Sequence, residues 1–183
     1  MRTAALHIRN SSSGVGTLTR QSGQAMLEFA CMVTVALIVL FGLIDFGRAL
    51  FDLKVMTGLS RQGGNLASRG SSVSEAASAV IAGQAPLNFS SYGEVIVTSI
   101  QDNKGAYTIT GQSILGGMSP AQASRVGTGV GATATLPASA QGMMQSGTSI
   151  YVAEIFYSFQ PITPIGNFMK LAMPSTLYEV AYF

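Results

Sequence analysis

Glu28 is the residue of this sequence whose surroundings most clearly call for a chemical explanation. It lies at the start of an apolar run, and the 16 residues of Phe29–Ile44 carry no charge. A carboxylate inside an apolar helix is costly to desolvate, so it usually marks a function or a contact with a partner. Gly23 precedes Glu28 by five positions, and Gln24 by four. Glu28 is therefore the first candidate for a functional residue.

The remaining residue types argue against catalysis and metal binding. The sequence has one histidine, His7, and one cysteine, Cys31, which lies within the apolar run. A single cysteine forms no intramolecular disulfide, and Cys31 is most simply a small hydrophobic side chain facing lipid or another helix. The eight acidic residues are spread thinly, and their positions suggest no pair of nucleophile and base. We therefore expect a protein that is not an enzyme and has no cofactor or metal site.

Charge and glycine content also exclude a nucleic-acid or nucleotide partner. The net charge is +2, but Arg2, Arg9 and Arg20 lie in the first 23 residues, which contain no acid, and removing them lowers it to −1. A nearly neutral chain has no basic surface for nucleic acid. The glycine-rich segment 127–131 lacks the Gly-Lys-Ser/Thr of a phosphate-binding loop and has no strand before it, which favours a surface loop.

The length of the apolar run predicts a membrane-spanning helix. Extended to Ala25 and Phe46, the run reaches about 20 residues, the length that crosses a bilayer as a helix. The arginines before the run have no acidic neighbours, whereas both charges occur after it, which places the N-terminus in the cytoplasm. A secretory signal has a shorter apolar core followed by a cleavage site. We therefore predict a single-pass anchor with the C-terminal part across the membrane.

The helix is predicted to cover residues 24–61 and to project beyond the bilayer, because about 55 Å of helix is longer than a bilayer is thick. In its projecting half we expect an apolar stripe to pack against the chain's own domain, with a partner site as the alternative, and a charged stripe in which Arg48 can pair with both acids. The apolar stripe comprises Phe46, Ala49, Leu50 and Leu53, and the charged stripe comprises Asp45, Arg48 and Asp52. The pair Gly63-Gly64 is expected to end or bend the helix.

Residues 62–183 are predicted to form one small α+β domain with an antiparallel sheet. Its expected elements are a short helix at 72–85 capped by Ser72 or Ser74, a hairpin at 93–113 turning at 102–105, a central strand at 149–159 and an edge strand at 176–183. Between them, residues 116–148 are rich in Gly, Ala, Ser and Thr and are expected to form a flexible surface loop.

The N-terminal segment resembles a known family. Gly23, then four residues, then Glu28-Phe29 is similar to the type IV prepilin processing site. The longer strings QAMLEFA, from residue 24, and IDFGRALF, from residue 44, resemble the TadE family of minor pilins, or pseudopilins, of Tad (Flp) pili. This resemblance covers residues 20–70, and YSFQPITPIG at 157–166 is also similar to the strand and proline turn of TadE-like proteins.

The resemblance implies a processing event and an assembly contact. A prepilin peptidase would cut between Gly23 and Gln24, so that residues 1–23 would be a leader. Glu28, the fifth residue of the mature chain, would meet the Gln24 ammonium of a neighbouring subunit and fix the register between helices. Phe29 occupies a position that is often Tyr in major Flp pilins, which favours a minor subunit.

The resemblance also implies partners and a location. The partners would be the prepilin peptidase, other major and minor pilins, the Tad inner-membrane assembly platform and the membrane. The chain would lie in the bacterial inner membrane with its C-terminal domain in the periplasm. It would act in pilus assembly, adhesion or secretion. Incorporation into an extracellular pilus is a further expectation. The alternative is an uncleaved, single-pass anchored binding module that forms no filament.

Overall fold

A single long helix carries a small domain on its C-terminal half. The computed structural model describes residues 16–166, 168, 171 and 173–183, with side chains of the helix described from residue 23 onward. The described part of helix α1 is Gly16–Ser68, 53 residues without interruption. At 1.5 Å per residue this is about 80 Å, longer than the predicted helix at 24–61. Residues 1–15 of the predicted leader lie outside the described residues.

The prediction that Gly63-Gly64 ends the helix is wrong. Both glycines lie inside α1 and are buried, and a Cβ atom on Gly63 would lie only 2.7 Å from Val80 Cγ2. Their missing side chains allow the rest of the domain to approach the helix closely. The helix instead ends at Gly70, whose φ is 102°, where the Ser71 N–H donates to the Leu66 carbonyl in a Schellman motif.

Helix α2, Val73–Ala82, confirms the predicted short helix but is shorter than residues 72–85. Its N-terminus is a capping box: the Glu75 N–H donates to Ser72 Oγ, and the Ser72 N–H donates to Glu75 Oε2. Its small buried side chains, Ala76 and Ala77, let α2 lie close to α1.

The sheet has four antiparallel strands in the order β2-β1-β3-β4, as the fold class predicted. The strands are β1, Gly93–Asn103; β2, Ala106–Gly116; β3, Ser149–Ser158; and β4, Thr176–Tyr182. Strand β3 is central and β4 lies at an edge, which confirms both predictions. The β1–β2 turn has Lys104 and Gly105 at positive φ, and the Gly105 N–H donates to Asp102 Oδ1 at 2.7 Å.

The two faces of the sheet are covered differently. One face packs against α1 and α2, where Val97 and Ile155 belong to the larger core. A one-turn helix α3, Phe89–Tyr92, precedes β1, and Phe89 is buried in the same core.

The segment between β2 and β3 covers the other face. It contains one short helix, α4, Ala138–Gln141, and it buries apolar side chains against the sheet: Val126, Ala134, Leu136 and Ala140 contact a cluster that includes Ile100, Ile109, Ile150 and Val152. The expectation of a surface loop at 116–148 is therefore wrong for the middle of the segment. Small apolar side chains let an irregular backbone lie flat on the sheet and form a second core.

Candidate membrane and assembly segment

The predicted site residues lie together on the exposed first part of α1. Gly23, Gln24, Glu28 and Phe29 are all exposed, and a side chain on Gly23 would meet nothing within 4 Å. The Gln24 side-chain amide donates to Glu28 Oε1 at 3.0 Å, one helical turn away. The structure thus brings Gln24 and Glu28 into contact within one chain, through the amide side chain rather than through a terminal ammonium.

The helix that follows these residues is apolar and uncovered. All described side chains from 23 to 40 are exposed, and an 18-residue window of α1 has a mean hydropathy of 2.5 with none of it buried. Among the described residues, α1 is the one helix long and apolar enough to cross a membrane. A soluble surface rarely leaves so large an apolar area in water, so this part of α1 indicates membrane anchoring.

The domain packs against the face of α1 that carries the predicted charged stripe. Asp45, Ala49 and Asp52 are buried, whereas Phe46 and Leu50 are exposed. The prediction that the apolar stripe packs on the chain's own domain is therefore confirmed for Ala49 and the half-buried Leu53 and wrong for Phe46 and Leu50. The reason is that Asp45 has a specific set of donors: Asp45 Oδ1 accepts the N–H groups of Ile162 at 3.0 Å and Thr163 at 3.3 Å, and Oδ2 accepts the Thr163 hydroxyl.

A second buried carboxylate, Glu154 on β3, was missed by the sequence analysis. Glu154 Oε1 accepts the Arg125 N–H at 2.9 Å and the Tyr178 hydroxyl at 3.0 Å, and Oε2 accepts the Ser124 hydroxyl. Glu94 on β1 likewise accepts the Gln122 N–H at 2.7 Å. The signal was present in the sequence, since Glu154 is the one charge in a strand that is otherwise apolar on both faces.

The surroundings of Glu154 give its hydrogen-bond partners a structural role rather than a reactive one. Burial, and then the negative charge of Glu154, raise the pKa of the Tyr178 hydroxyl well above its usual range, so that it remains a hydrogen-bond donor. The Arg125 guanidinium lies over the Tyr178 ring, 3.7 Å from its centroid. Because both carboxylate oxygens already accept hydrogen bonds, this cluster holds the segment between β2 and β3 on the sheet.

The described residues contain no group of three or more His, Cys, Asp or Glu side chains that could hold a metal ion. Three buried acidic side chains make specific hydrogen bonds: Asp45 to the turn after β3, and Glu94 and Glu154 to the segment between β2 and β3. The chemical role that remains open is that of the exposed Glu28.

Comparison with known protein families gives a match over part of α1. Residues 23–65 match the family model described as TadE-like protein, roughly a quarter of the chain. The match begins at Gly23, spans the exposed apolar part of α1 and the half that packs on the domain, and ends before the sheet. No curated protein and no solved structure matches the chain. Residues 23–65 are thus similar to TadE-like proteins; this similarity implies a protein associated with Tad pili, and the apolar part of α1 suggests membrane anchoring.

Proposed function

We propose that the chain is a minor pilin, or pseudopilin, of a Tad (Flp) pilus, and that a prepilin peptidase processes it between Gly23 and Gln24. One observation carries the proposal: the TadE-like match starts at Gly23 and includes the whole apolar helix segment that the domain leaves uncovered. A helix that is bare at one end and bound to a folded domain at the other suits a subunit that moves from a bilayer into a bundle of similar helices.

The proposed cut falls inside the described helix. Helix α1 begins at or before Gly16, so Gly23 and Gln24 have helical neighbours on both sides. A peptidase needs an extended backbone, and glycine favours local opening because it is less stable in a helix than alanine by about 1 kcal/mol. A Cβ atom on Gly23 would meet nothing within 4 Å and the described side chains from 23 to 40 are exposed, so the folded domain does not cover this bond.

After this cut, the Gln24 ammonium would lie in the same helical turn as Glu28. Four residues correspond to about 6 Å along the helix axis, which is within reach of a pair inside one chain. A pair between two chains would additionally require the neighbouring helix to lie at a set height. Glu28 would therefore select the register of packed helices, with the prepilin peptidase, other pilins and the Tad inner-membrane platform as partners.

We further propose that the N-terminus is cytoplasmic, that the domain is periplasmic and that the chain has no enzymatic role. The three arginines that precede the apolar segment without an acid support this orientation. The occupied carboxylates of Asp45 and Glu154 support a structural role, since neither has a free oxygen for a substrate. Adhesion and secretion are the activities that such a pilus would serve.

Intact-mass analysis of the protein from cells that contain the peptidase tests this function. We expect a chain that starts at Gln24 for the parent protein and a full-length chain for Gly23→Leu, because a bulky side chain should not fit a pocket built for glycine. Gly58→Leu is the matched control: Gly58 lies in the same helix and its surroundings are equally open, so this variant should be cut normally. A full-length parent chain would instead support the uncleaved anchored binding module.

A further inference from the structure

The turn after β3 lies at the level where α1 leaves the membrane. Asp45 is the first charged residue after the uncharged run that ends at Ile44. The backbone N–H groups of Ile162 and Thr163 both donate to Asp45 Oδ1. Since Ala25–Ile44 would span about 30 Å as a helix, the hydrocarbon thickness of a bilayer, these bonds hold the turn at the far membrane surface.

The segment 159–175 between β3 and β4, which includes this turn, exposes large apolar side chains. Ile162 is 61% exposed, Phe168 is 76% exposed and Leu171 is 90% exposed. Between Phe159 and Tyr178 the sequence contains no acidic residue and one basic residue, Lys170. Apolar side chains together with a basic residue and no acid are the composition of segments that lie in a membrane interface.

We propose that Ile162, Phe168 and Leu171 insert into the leaflet from which α1 emerges and form a second membrane contact. The bilayer is favoured over a second copy of the chain because Asp45 fixes the height of the turn relative to the apolar segment of its own helix. One spanning helix lets the domain tilt and rotate, whereas a second contact sets its orientation. The proposal rests on membrane anchoring by α1 and is independent of cleavage and of pilus assembly.

Fluorescent labels on single cysteines test the proposal in the full chain. In a Cys31→Ala background, one cysteine at a time replaces Phe168, Leu171, Val39 in the apolar segment, or the control residues Val130 and Met143, and carries an environment-sensitive dye. Val130 and Met143 are also exposed but lie in the segment between β2 and β3. Each protein is placed in nanodiscs of phosphatidylethanolamine and phosphatidylglycerol, one chain per disc, with spin-labelled lipid as the quencher.

We expect lipid quenching at 168 and 171 to exceed quenching at 130 and 143 by about threefold or more, with shallow spin labels more effective than deep ones. Val39 should be quenched most by deep labels. Quenching at Val39 without quenching at 168 and 171 would overturn the membrane contact and leave the anchor intact. No quenching at Val39 would overturn both. If positions 168 and 171 are protected from aqueous iodide only when a disc holds two chains, the proposal would also be overturned. This surface would then be assigned to a second copy.

Discussion

Asp45 and Thr163 are 118 residues apart in the sequence, yet Asp45 accepts hydrogen bonds from both the backbone N–H and the hydroxyl of Thr163. The carboxylate is fully buried, so these bonds form where water does not compete. They join the membrane end of α1 to the turn that leaves the central strand β3. A movement of the helix at this level is therefore transmitted directly to the sheet.

The first prediction concerns this connection. Asp45→Ala leaves the N–H groups of Ile162 and Thr163 without their acceptor, and each buried group that stays unpaired costs about 1–3 kcal/mol. Asp45→Asn keeps one oxygen as an acceptor and should lose less stability. The measurement is the urea midpoint in detergent micelles, followed by near-UV circular dichroism of the tyrosines because the chain has no tryptophan. Equal midpoints for the parent and Asp45→Ala would show that the turn is held by other contacts.

A second prediction concerns the segment between β2 and β3, which covers the other face of the sheet. Glu154→Gln keeps the shape of the side chain but replaces one acceptor oxygen with a donor, next to the Ser124 hydroxyl and the Arg125 N–H. We expect a loss of about 2 kcal/mol in the free energy of unfolding. Hydrogen exchange at the Arg125 amide should also become faster. Glu179→Gln, on the edge strand and only partly buried, is the control and should change neither quantity. Unchanged exchange at Arg125 in Glu154→Gln would contradict the role assigned to Glu154.

The third prediction separates two glycines of the same helix. Gly63→Ala places a methyl group 2.7 Å from Val80 Cγ2, in a buried contact between α1 and α2, and such overpacking costs about 1–3 kcal/mol. Gly58→Ala places its methyl group in open space and should stabilise the helix by up to about 1 kcal/mol. Thermal unfolding of both variants should therefore give shifts of opposite sign. A higher melting temperature for Gly63→Ala would show that α2 can move away without cost.

These cases show which parts of the structure could be predicted from the sequence. The Ser72–Glu75 capping box, the Lys104-Gly105 turn and the strand around Glu154 depend on residues close together in the chain, so local patterns were sufficient. The same holds for the exposed Gln24–Glu28 pair, whose spacing of four residues fixes its contact in any helix.

The errors at the following positions involve contacts between distant residues. The burial of Asp45 was missed because its donors come from residues 162 and 163. Gly63 looked like a helix end because its neighbour Val80 belongs to another helix. The segment between β2 and β3 looked like a surface loop because its composition gives no regular pattern, and only the sheet beneath it makes Val126 and Leu136 a core. Burial that depends on tertiary partners leaves no periodic pattern in the sequence.

The last prediction is that Glu28 acts in assembly and not in insertion or cleavage. Glu28→Ala removes a costly charge from the apolar helix, so the chain should insert at least as well as the parent and be cut normally. A neighbouring subunit would lose the partner of its Gln24 ammonium, a loss on the order of a few kcal/mol if the pair is shielded from water. We therefore expect normal abundance of the mature chain but lower recovery in pili, or in pull-downs with other pilins.

Gln24→Ala is the matched control for this prediction, because Gln24 has two groups that could reach Glu28. Its side-chain amide makes the contact that the structure contains, at 3.0 Å, whereas the ammonium would be created by the cut. Gln24→Ala removes the amide and keeps the ammonium, so incorporation should persist if the ammonium is the partner that matters. Loss of incorporation in both variants would assign the role to the amide contact. Equal incorporation of Glu28→Ala and the parent, at equal abundance, would mean that Glu28 lies among lipid headgroups in contact with water and selects no register.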